Sequence, residues 1–198
     1  MKNKIVLFIL LFFAGITLLF YFLNMELKTG NYQPQQKISE IEKNFNRINE
    51  DLNKKLEHTA VLNMIIVDTL SNQYHLSDLV SQSPALIFRY SEMNCNSCYE
   101  TELFSLKNAF PKEERQIAIL SSYRDKRDFM MFKKANKIEL PFYRMPQDSF
   151  DWALEDYGSP YYFVLHPDLT VSHIYVPSTV LPELNREYLE SVKTFLSD

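Results

Sequence analysis

The sequence predicts an α/β domain with a mixed central sheet covered by helices, preceded by an N-terminal transmembrane helix and a helical stalk. Three observations support this prediction. An uncharged apolar run occupies residues 5–23, a polar segment with one apolar stripe occupies residues 33–58, and strand and helix patterns alternate from residue 60 onwards. Because alternating strands and helices are typical of layered α/β folds, residues 60–198 are predicted to form one domain.

The N-terminal run has the length and composition of a membrane anchor. Residues 5–23 are 19 residues without a charge, and at about 1.5 Å per residue they would cross a hydrocarbon core of roughly 30 Å. A cleaved signal peptide is the alternative, but no small-x-small site follows the run. Lys2 and Lys4 precede it, which predicts that residues 1–4 are a cytoplasmic tip and that the domain faces a bacterial periplasm. That compartment tolerates disulfides.

The segment at residues 33–58 is predicted to be a helical stalk. Its apolar residues recur at steps of three and four, which places them in one narrow stripe along a helix. They are Ile38, Ile41, Phe45, Ile48, Leu52 and Leu56. The stripe could pack on its own domain, lie on the membrane, or join a second copy in a coiled coil. Because it holds fewer than three clean heptads, a homodimer through the stalk is one hypothesis among these.

The elements of the domain follow from short apolar runs and amphipathic stretches. Strands are predicted at residues 61–67, 85–90, 116–120, 142–145, 161–165 and 171–176. Helices are predicted at residues 96–110, 125–137, 150–157 and 182–196, and residues 71–73 are predicted to be a turn. This order gives a mixed sheet covered by helices.

Composition excludes several classes of function. The net charge is −4, so there is no basic excess to neutralise the phosphates of a nucleic acid. Only 3 glycines are present, so a glycine-rich phosphate loop cannot form. No cofactor is predicted.

The two cysteines of the chain, Cys95 and Cys98, are the candidate site. A Cys-x-x-Cys pair serves metal sites, structural disulfides and redox sites, and context separates them. Zinc needs three or four protein ligands, and no second cysteine pair or histidine ligand spacing supplies them, so no metal is predicted. A structural disulfide closing so short a loop would restrict the unfolded chain little.

The position of the pair favours redox chemistry. Cys95 is predicted to stand where a strand ends and a helix begins, and there unpaired N–H groups and the helix dipole stabilise an anion. A thiolate is the attacking species in disulfide exchange, so this placement makes Cys95 the nucleophile. Cys98, one turn further along the helix, can resolve the mixed disulfide.

With these motifs, the chain resembles the thioredoxin superfamily, in particular its membrane-anchored extracytoplasmic thiol–disulfide oxidoreductases. The matching stretches are YHLSDLVSQSPALIFRYSEMNCNSCYETELFSLKNAF at residues 74–110 and ALEDYGSPYYFVLHPDLTVSHIY at residues 153–175. The resemblance implies a thioredoxin-like three-layer sandwich. It also implies that the Ser159–Pro160 bond is cis, that Ser159 and Pro160 hold a backbone edge for substrate pairing, and that Pro160 keeps metal away from the thiols.

The chain departs from the pattern of that superfamily at three places. Asn94 replaces the usual aromatic residue before the first cysteine, Asn96-Ser97 replaces the usual dipeptide, and no buried acid is evident on the preceding strand. Arg89 is predicted to point out from that strand into solvent; if it pointed inward, its charge would favour the thiolate. Nearby proton partners could be Glu92, Glu100 or Glu102, of which two are expected to be surface charges.

Three functions compete at this stage. The leading hypothesis is an oxidoreductase that exchanges disulfides with protein substrates and with a redox partner through Cys95 and Cys98. A non-catalytic binding or scaffold module, keeping a vestigial disulfide, is the alternative that the departures favour. A copper-delivery protein is the third, and it would need His166 or His173 beside the cysteines.

Overall fold

The computed structural model describes residues 2–110, 116–146, 150–156 and 158–197, and within these the side chains of all but residues 2–15, 22–23, 26–36 and 156. The chain divides into two units, Met1–Arg47 and Ile48–Asp198. A single helix, α1, runs over Lys2–Leu56, so its last turns belong to the second unit.

No helix among the described residues is long and apolar enough to cross a membrane. Most of the anchor predicted at residues 5–23 lies outside the described side chains. The anchor therefore stays a prediction.

The second unit is built on a seven-stranded sheet. The strands are β1 (Ile65–Asp68), β2 (Gln73–His75), β3 (Ala85–Ser91), β4 (Ile117–Ser122), β5 (Phe142–Arg144), β6 (Tyr161–Leu165) and β7 (Val171–Tyr175). The helices of this unit after α1 are α2 (Asn96–Ala109), α3 (Lys126–Ala135), α4 (Ala153–Asp156) and α5 (Pro182–Ser197), with a 3₁₀ helix at Leu76–Val80.

The sheet is mixed, as predicted, and its strand order is β2-β1-β5-β4-β3-β6-β7. Strands β3, β4 and β5 are parallel. On one side β6 pairs antiparallel with β3, and β7 pairs antiparallel with β6. On the other side β1 pairs antiparallel with β5, and β2 pairs antiparallel with β1. Because β3, β4 and β5 run the same way, their carboxyl ends share one edge of the sheet. Binding sites of α/β sheets form at that edge.

Helices cover both faces of the sheet. On one face α2 contacts α5, and Phe132 of α3 packs edge-to-face against Tyr99 of α2. The core of the other face includes Leu154 of α4 and Val80 of the 3₁₀ helix, with Leu56 of α1 partly buried against it. The buried faces of β3 explain why its sequence is almost entirely apolar: a strand covered on both sides reads as a continuous hydrophobic run.

The strand predicted at residues 61–67 forms only at Ile65–Asp68, and the predicted turn at residues 71–73 extends into strand β2. The side chain of Asp68 explains this hairpin. Its carboxylate accepts hydrogen bonds from the Leu70 and Asn72 main-chain N–H groups, both at 2.8 Å. These bonds close the turn and bring the following residues back beside β1.

Candidate functional site

The cysteine pair stands at the carboxyl edge of the sheet, directly after the buried strand β3. The turn between β3 and α2 is closed by Asn94, whose Oδ1 accepts the Ser91 N–H at 2.6 Å and whose own N–H donates to the Ser91 carbonyl at 2.9 Å. Asn94 thus performs a turn-closing function, for which asparagine is well suited. That contact explains why an asparagine can occupy the position before Cys95.

Cys95 and Cys98 form a disulfide with their Cα atoms 5.2 Å apart. Cys95 is the N-cap residue of α2, and its carbonyl accepts the Cys98 N–H at 3.0 Å. Its side chain is exposed, whereas Cys98 is half-buried. The pair therefore has one sulfur open to a partner and one sulfur behind it, at a helix N-terminus that favours negative charge.

Ser97 adds a local donor to this site. Its hydroxyl oxygen lies 3.2 Å from Cys95 Sγ. In the reduced protein this hydroxyl can donate to a Cys95 thiolate, which favours the charged form. Ser97 therefore lies within hydrogen-bonding distance of the exposed sulfur.

Ser159 and Pro160 precede strand β6. Tyr161 pairs with Arg89 near the end of β3, so Pro160 stands at the sheet edge where β3 leads into the cysteine turn. Pro160 is buried and Ser159 is half-buried. Topology therefore places both predicted substrate-binding residues at the edge that carries Cys95.

The expectation of a cis bond before Pro160 is wrong, since the described residues contain no cis peptide bond. Gly158, two residues before Pro160, has a φ of +63°, a conformation that glycine adopts without steric cost. A trans bond, which X-Pro sequences prefer by about 0.5–1 kcal/mol, then leads into the strand.

The prediction that Arg89 points into solvent is wrong, because the residue is buried and only 1% exposed. Its Nε donates to Glu155 Oε1 at 2.9 Å and its Nη2 to Glu155 Oε2 at 2.7 Å. A third nitrogen, Nη1, donates to the Tyr90 carbonyl. Tyr161 Oη donates to Glu155 Oε1 at 2.6 Å. This network joins β3, α4 and β6, and so holds the two segments that flank the edge, the end of β3 and the start of β6.

Glu102, one of the three glutamates considered as proton partners, is buried. It is 2% exposed, while Glu100 is exposed and Glu92 is half-buried. Tyr162 Oη donates to Glu102 Oε2 at 2.8 Å, and Asn185 Nδ2 donates to Glu102 Oε1 at 2.9 Å. Burial raises the pKa of the Glu102 carboxyl, and these two hydrogen bonds offset part of the rise.

The burial of Arg89 and that of Glu102 each carried a signal in the sequence. Arg89 lies in a strand so apolar that it had to be covered on both faces, and a charged residue within such a strand must be buried and paired. Glu102 lies three residues after Tyr99 and four before Leu106, both buried. That spacing puts its side chain on the inner face of α2.

The histidines do not converge on the cysteines. His166 follows the end of β6, which pairs with the start of β3, so it lies at the opposite end of a strand roughly 20 Å long. His166 Nε2 and His173 Nδ1 both contact the Ser172 hydroxyl, at 2.7 and 2.8 Å. Among the described residues no group of three or more His, Cys, Asp or Glu could hold a metal ion. The geometry required for copper delivery through His166 is absent.

Comparison with known proteins adds structural relatives. No family model matches the sequence, and no curated protein is significantly similar to it. The thioredoxin domain of a thiol-disulfide oxidoreductase from Bacteroides vulgatus is 16% identical, with a TM-score of 0.51 over 71% of this chain and 97% of that one. A thiol:disulfide interchange protein from a Bacteroides species is also 16% identical, with a TM-score of 0.51 over 71% of this chain and 91% of its own. Likeness at this identity establishes the fold, so the predicted thioredoxin-like fold is confirmed.

Proposed function

We propose that the thioredoxin fold of this chain carries a thiol–disulfide oxidoreductase site, with Cys95 as nucleophile and Cys98 as resolving thiol. The observation that carries the proposal is the exposed Cys95 at the N-cap of α2, joined to the less exposed Cys98 one turn behind it. A structural disulfide gains nothing from an exposed sulfur at a helix N-terminus. An exchange reaction needs both features.

The reaction proceeds in two displacements. The Cys95 thiolate attacks one sulfur of a substrate disulfide, which forms a mixed disulfide and releases the other substrate sulfur as a thiolate. Cys98, deprotonated, then attacks Cys95 Sγ, forming the Cys95–Cys98 disulfide and releasing the second substrate thiol. The substrate gains two electrons and the protein loses two. A thiol redox partner restores the dithiol, and the same steps in reverse deliver a disulfide.

Glu102 is our candidate for the proton acceptor of Cys98. It follows Cys98 by four residues on α2, so the two side chains share one face of the helix, and helical side chains lean towards the N-terminus. A carboxyl whose pKa is raised by burial is better matched to accept a thiol proton near neutral pH than an ordinary glutamate.

Ser159 and Pro160 are proposed to pair with the substrate backbone beside the mixed disulfide. This proposal is supported by the position of Pro160 at the edge of the sheet that carries Cys95, which the register of β3 and β6 fixes.

We further propose that residues 5–23 tether the domain to the inner membrane with the domain in the periplasm. Fractionation of cells tests the membrane attachment. Protease treatment of spheroplasts tests the periplasmic location, because a cytoplasmic domain would be protected.

Dimerisation through the stalk is also a proposal. Ile38 and Ile41, two residues of the predicted stripe, are 51% and 40% exposed. Exposed isoleucines at this spacing are suited to a helix–helix contact. Analytical ultracentrifugation of residues 33–198 and of its Ile38→Asn/Ile41→Asn variant would show a dimer that the variant loses, and a monomer in both cases would refute the proposal.

Disulfide exchange is tested with insulin or a fluorogenic disulfide peptide. Wild type is expected to exchange, Cys95→Ser to lose exchange, and Cys98→Ser to accumulate a mixed disulfide with the substrate. Ser105→Ala, two turns beyond Cys98 on the same helix, is the control. If wild type exchanges no faster than Cys95→Ser, the oxidoreductase proposal fails and the scaffold module becomes the better account.

A further inference from the structure

A cavity opens at the carboxyl edge of the sheet, beside the segment that follows β4. Its volume is about 460 Å³, within the range of roughly 300–1,000 Å³ that is usual for ligand sites. Most of its lining is apolar, and two arginines complete it. The lining residues are Ile65, Val67, Tyr123, Arg124, Arg144, Met145 and Pro146.

The two arginines place positive charge in the lining of the cavity. Arg124 is exposed and Arg144 is half-buried, and among the described residues neither guanidinium forms an ion pair or hydrogen bond. Asp68, in the strand β1 that also lines the cavity, is occupied elsewhere, since its carboxylate accepts N–H groups of Leu70 and Asn72 within its own turn. A ligand with a carboxylate would therefore meet two available cations.

The cavity is directly connected to the cysteine turn. The Arg124 main-chain N–H donates to Glu92 Oε1 at 2.8 Å, and the Glu92 N–H donates to the Ser122 carbonyl at 2.9 Å. Glu92 lies three residues before Cys95 in the sequence. These two bonds fix the wall of the cavity that carries Arg124 to the segment that presents the nucleophile.

Resting on the oxidoreductase function proposed above, we infer that this cavity binds an acidic segment of the protein substrate, with an apolar side chain inside it and carboxylates on Arg124 and Arg144. Charge complementarity selects the occupant. The apolar lining accommodates an aliphatic or aromatic side chain, and two arginines favour carboxylates through bidentate contacts. The connection to Glu92 sets such a segment beside the disulfide that Cys95 attacks. The site thus defines a substrate class: disulfides flanked by apolar and acidic residues.

The experiment compares twin peptides that differ only in charge. Each contains one disulfide, flanked on one side by a leucine and then by two glutamates or two glutamines. Wild type is expected to exchange the acidic twin with a kcat/KM about tenfold higher, because a partly exposed ion pair contributes up to about fivefold per arginine. Added salt should reduce this preference.

Variants assign the preference to the cavity. Arg124→Gln, in an exposed segment, should lower the preference severalfold, and Arg124→Gln/Arg144→Gln should abolish it. Arg127→Gln is the matched control, because it removes the same charge from the exposed start of α3, outside the cavity lining. Thermal melting checks that each variant folds. Equal exchange of the twins by wild type, or equal preference in Arg124→Gln and Arg127→Gln, would overturn the inference.

A binding measurement separates this inference from the oxidoreductase proposal. Cys95→Ser/Cys98→Ser has no redox chemistry, and fluorescence anisotropy reports its binding of labelled, reduced twins. Preferential binding of the acidic twin, lost in Arg124→Gln/Arg144→Gln, would support the cavity even if exchange were absent. Equal binding of the twins would refute it even if exchange were fast.

Discussion

Arg89 and Glu155 are joined by two parallel hydrogen bonds, and only one of the two residues can reach water. The Arg89 side chain is 1% exposed and the Glu155 side chain 15%. A bidentate pair of this kind is geometrically specific, and it fixes α4, ahead of Pro160, to the strand that leads to Cys95. Its two members should therefore respond unequally to substitution.

We expect Glu155→Gln to destabilise the domain by about 3 kcal/mol, because it leaves a buried guanidinium without its counter-charge. Arg89→Met should cost about 1–2 kcal/mol, since Glu155 can turn towards solvent and methionine fills much of the same space. Urea unfolding measures both values. Glu183→Gln removes one partner of the exposed Arg186–Glu183 pair and should change stability by less than about 0.5 kcal/mol. A larger loss in Arg89→Met than in Glu155→Gln would contradict this account.

Ser97→Ala should make the reduced site less reactive. The Ser97 hydroxyl lies 3.2 Å from Cys95 Sγ and can donate to the thiolate. Its removal should raise the pKa of the Cys95 thiol in the reduced protein, because the thiolate loses a hydrogen-bond donor. The measurement is the pH dependence of iodoacetamide alkylation of Cys95 in a Cys98→Ser background. Ser105→Ala in the same background should leave the profile unchanged, and an unchanged profile in Ser97→Ala would remove Ser97 from the site.

Glu102 should make stability depend on pH. Because burial raises its pKa, the folded protein keeps the Glu102 proton to higher pH than the unfolded chain does. The contribution of the protonated Glu102 carboxyl to the free energy of unfolding is complete below the ordinary pKa of 4.5. It is lost as pH rises through the raised pKa of the folded state. Glu102→Gln stays neutral and should not show this loss.

The corresponding measurement is the difference in unfolding free energy between wild type and Glu102→Gln, from urea titrations at about pH 5 and about pH 8. That difference should shift against wild type at the higher pH. Glu100→Gln alters an exposed glutamate of the same helix and should track wild type. A difference that is constant with pH, or that shifts in favour of wild type, would contradict a raised pKa.

The sequence predicted the sheet and the cysteine pair because both depend on local patterns. Strand β6 was predicted with the same bounds as observed, Tyr161–Leu165, since an apolar run between turn residues identifies a strand without knowledge of its neighbours. The partner of Arg89 was not predicted, because Glu155 is 66 residues away. Pairings over such distances depend on the tertiary arrangement, which periodicity does not encode. The cavity at Arg124 and Arg144 was not predicted either, because it also depends on the tertiary arrangement.

The C-terminal end of α1 completes the edge of the sheet with two asparagines. Asn53 Oδ1 accepts the Ile174 N–H at 2.7 Å and its Nδ2 donates to the Ile174 carbonyl at 2.6 Å. Asn49 Oδ1 accepts the Val176 N–H at 2.8 Å. The side-chain amides thus take the place of a neighbouring strand along β7, which would otherwise present unpaired groups at the edge. Both asparagines lie in the predicted stalk, for which packing on its own domain was one alternative, but their hydrogen bonds to β7 were not predicted.

Asn53→Ala should therefore destabilise the domain by about 2 kcal/mol, because it leaves a main-chain donor and acceptor of Ile174 without partners. Asn53→Asp should not restore stability, since a carboxylate keeps the acceptor but loses the donor and faces the Ile174 carbonyl oxygen with a second acceptor. Urea unfolding gives the free energies, and amide hydrogen exchange at Ile174 reports the bond itself. Glu50→Ala, an exposed position on the same helix, controls for loss of side-chain bulk. If Ile174 exchanges at the wild-type rate in Asn53→Ala, the asparagine does not protect the edge of the sheet.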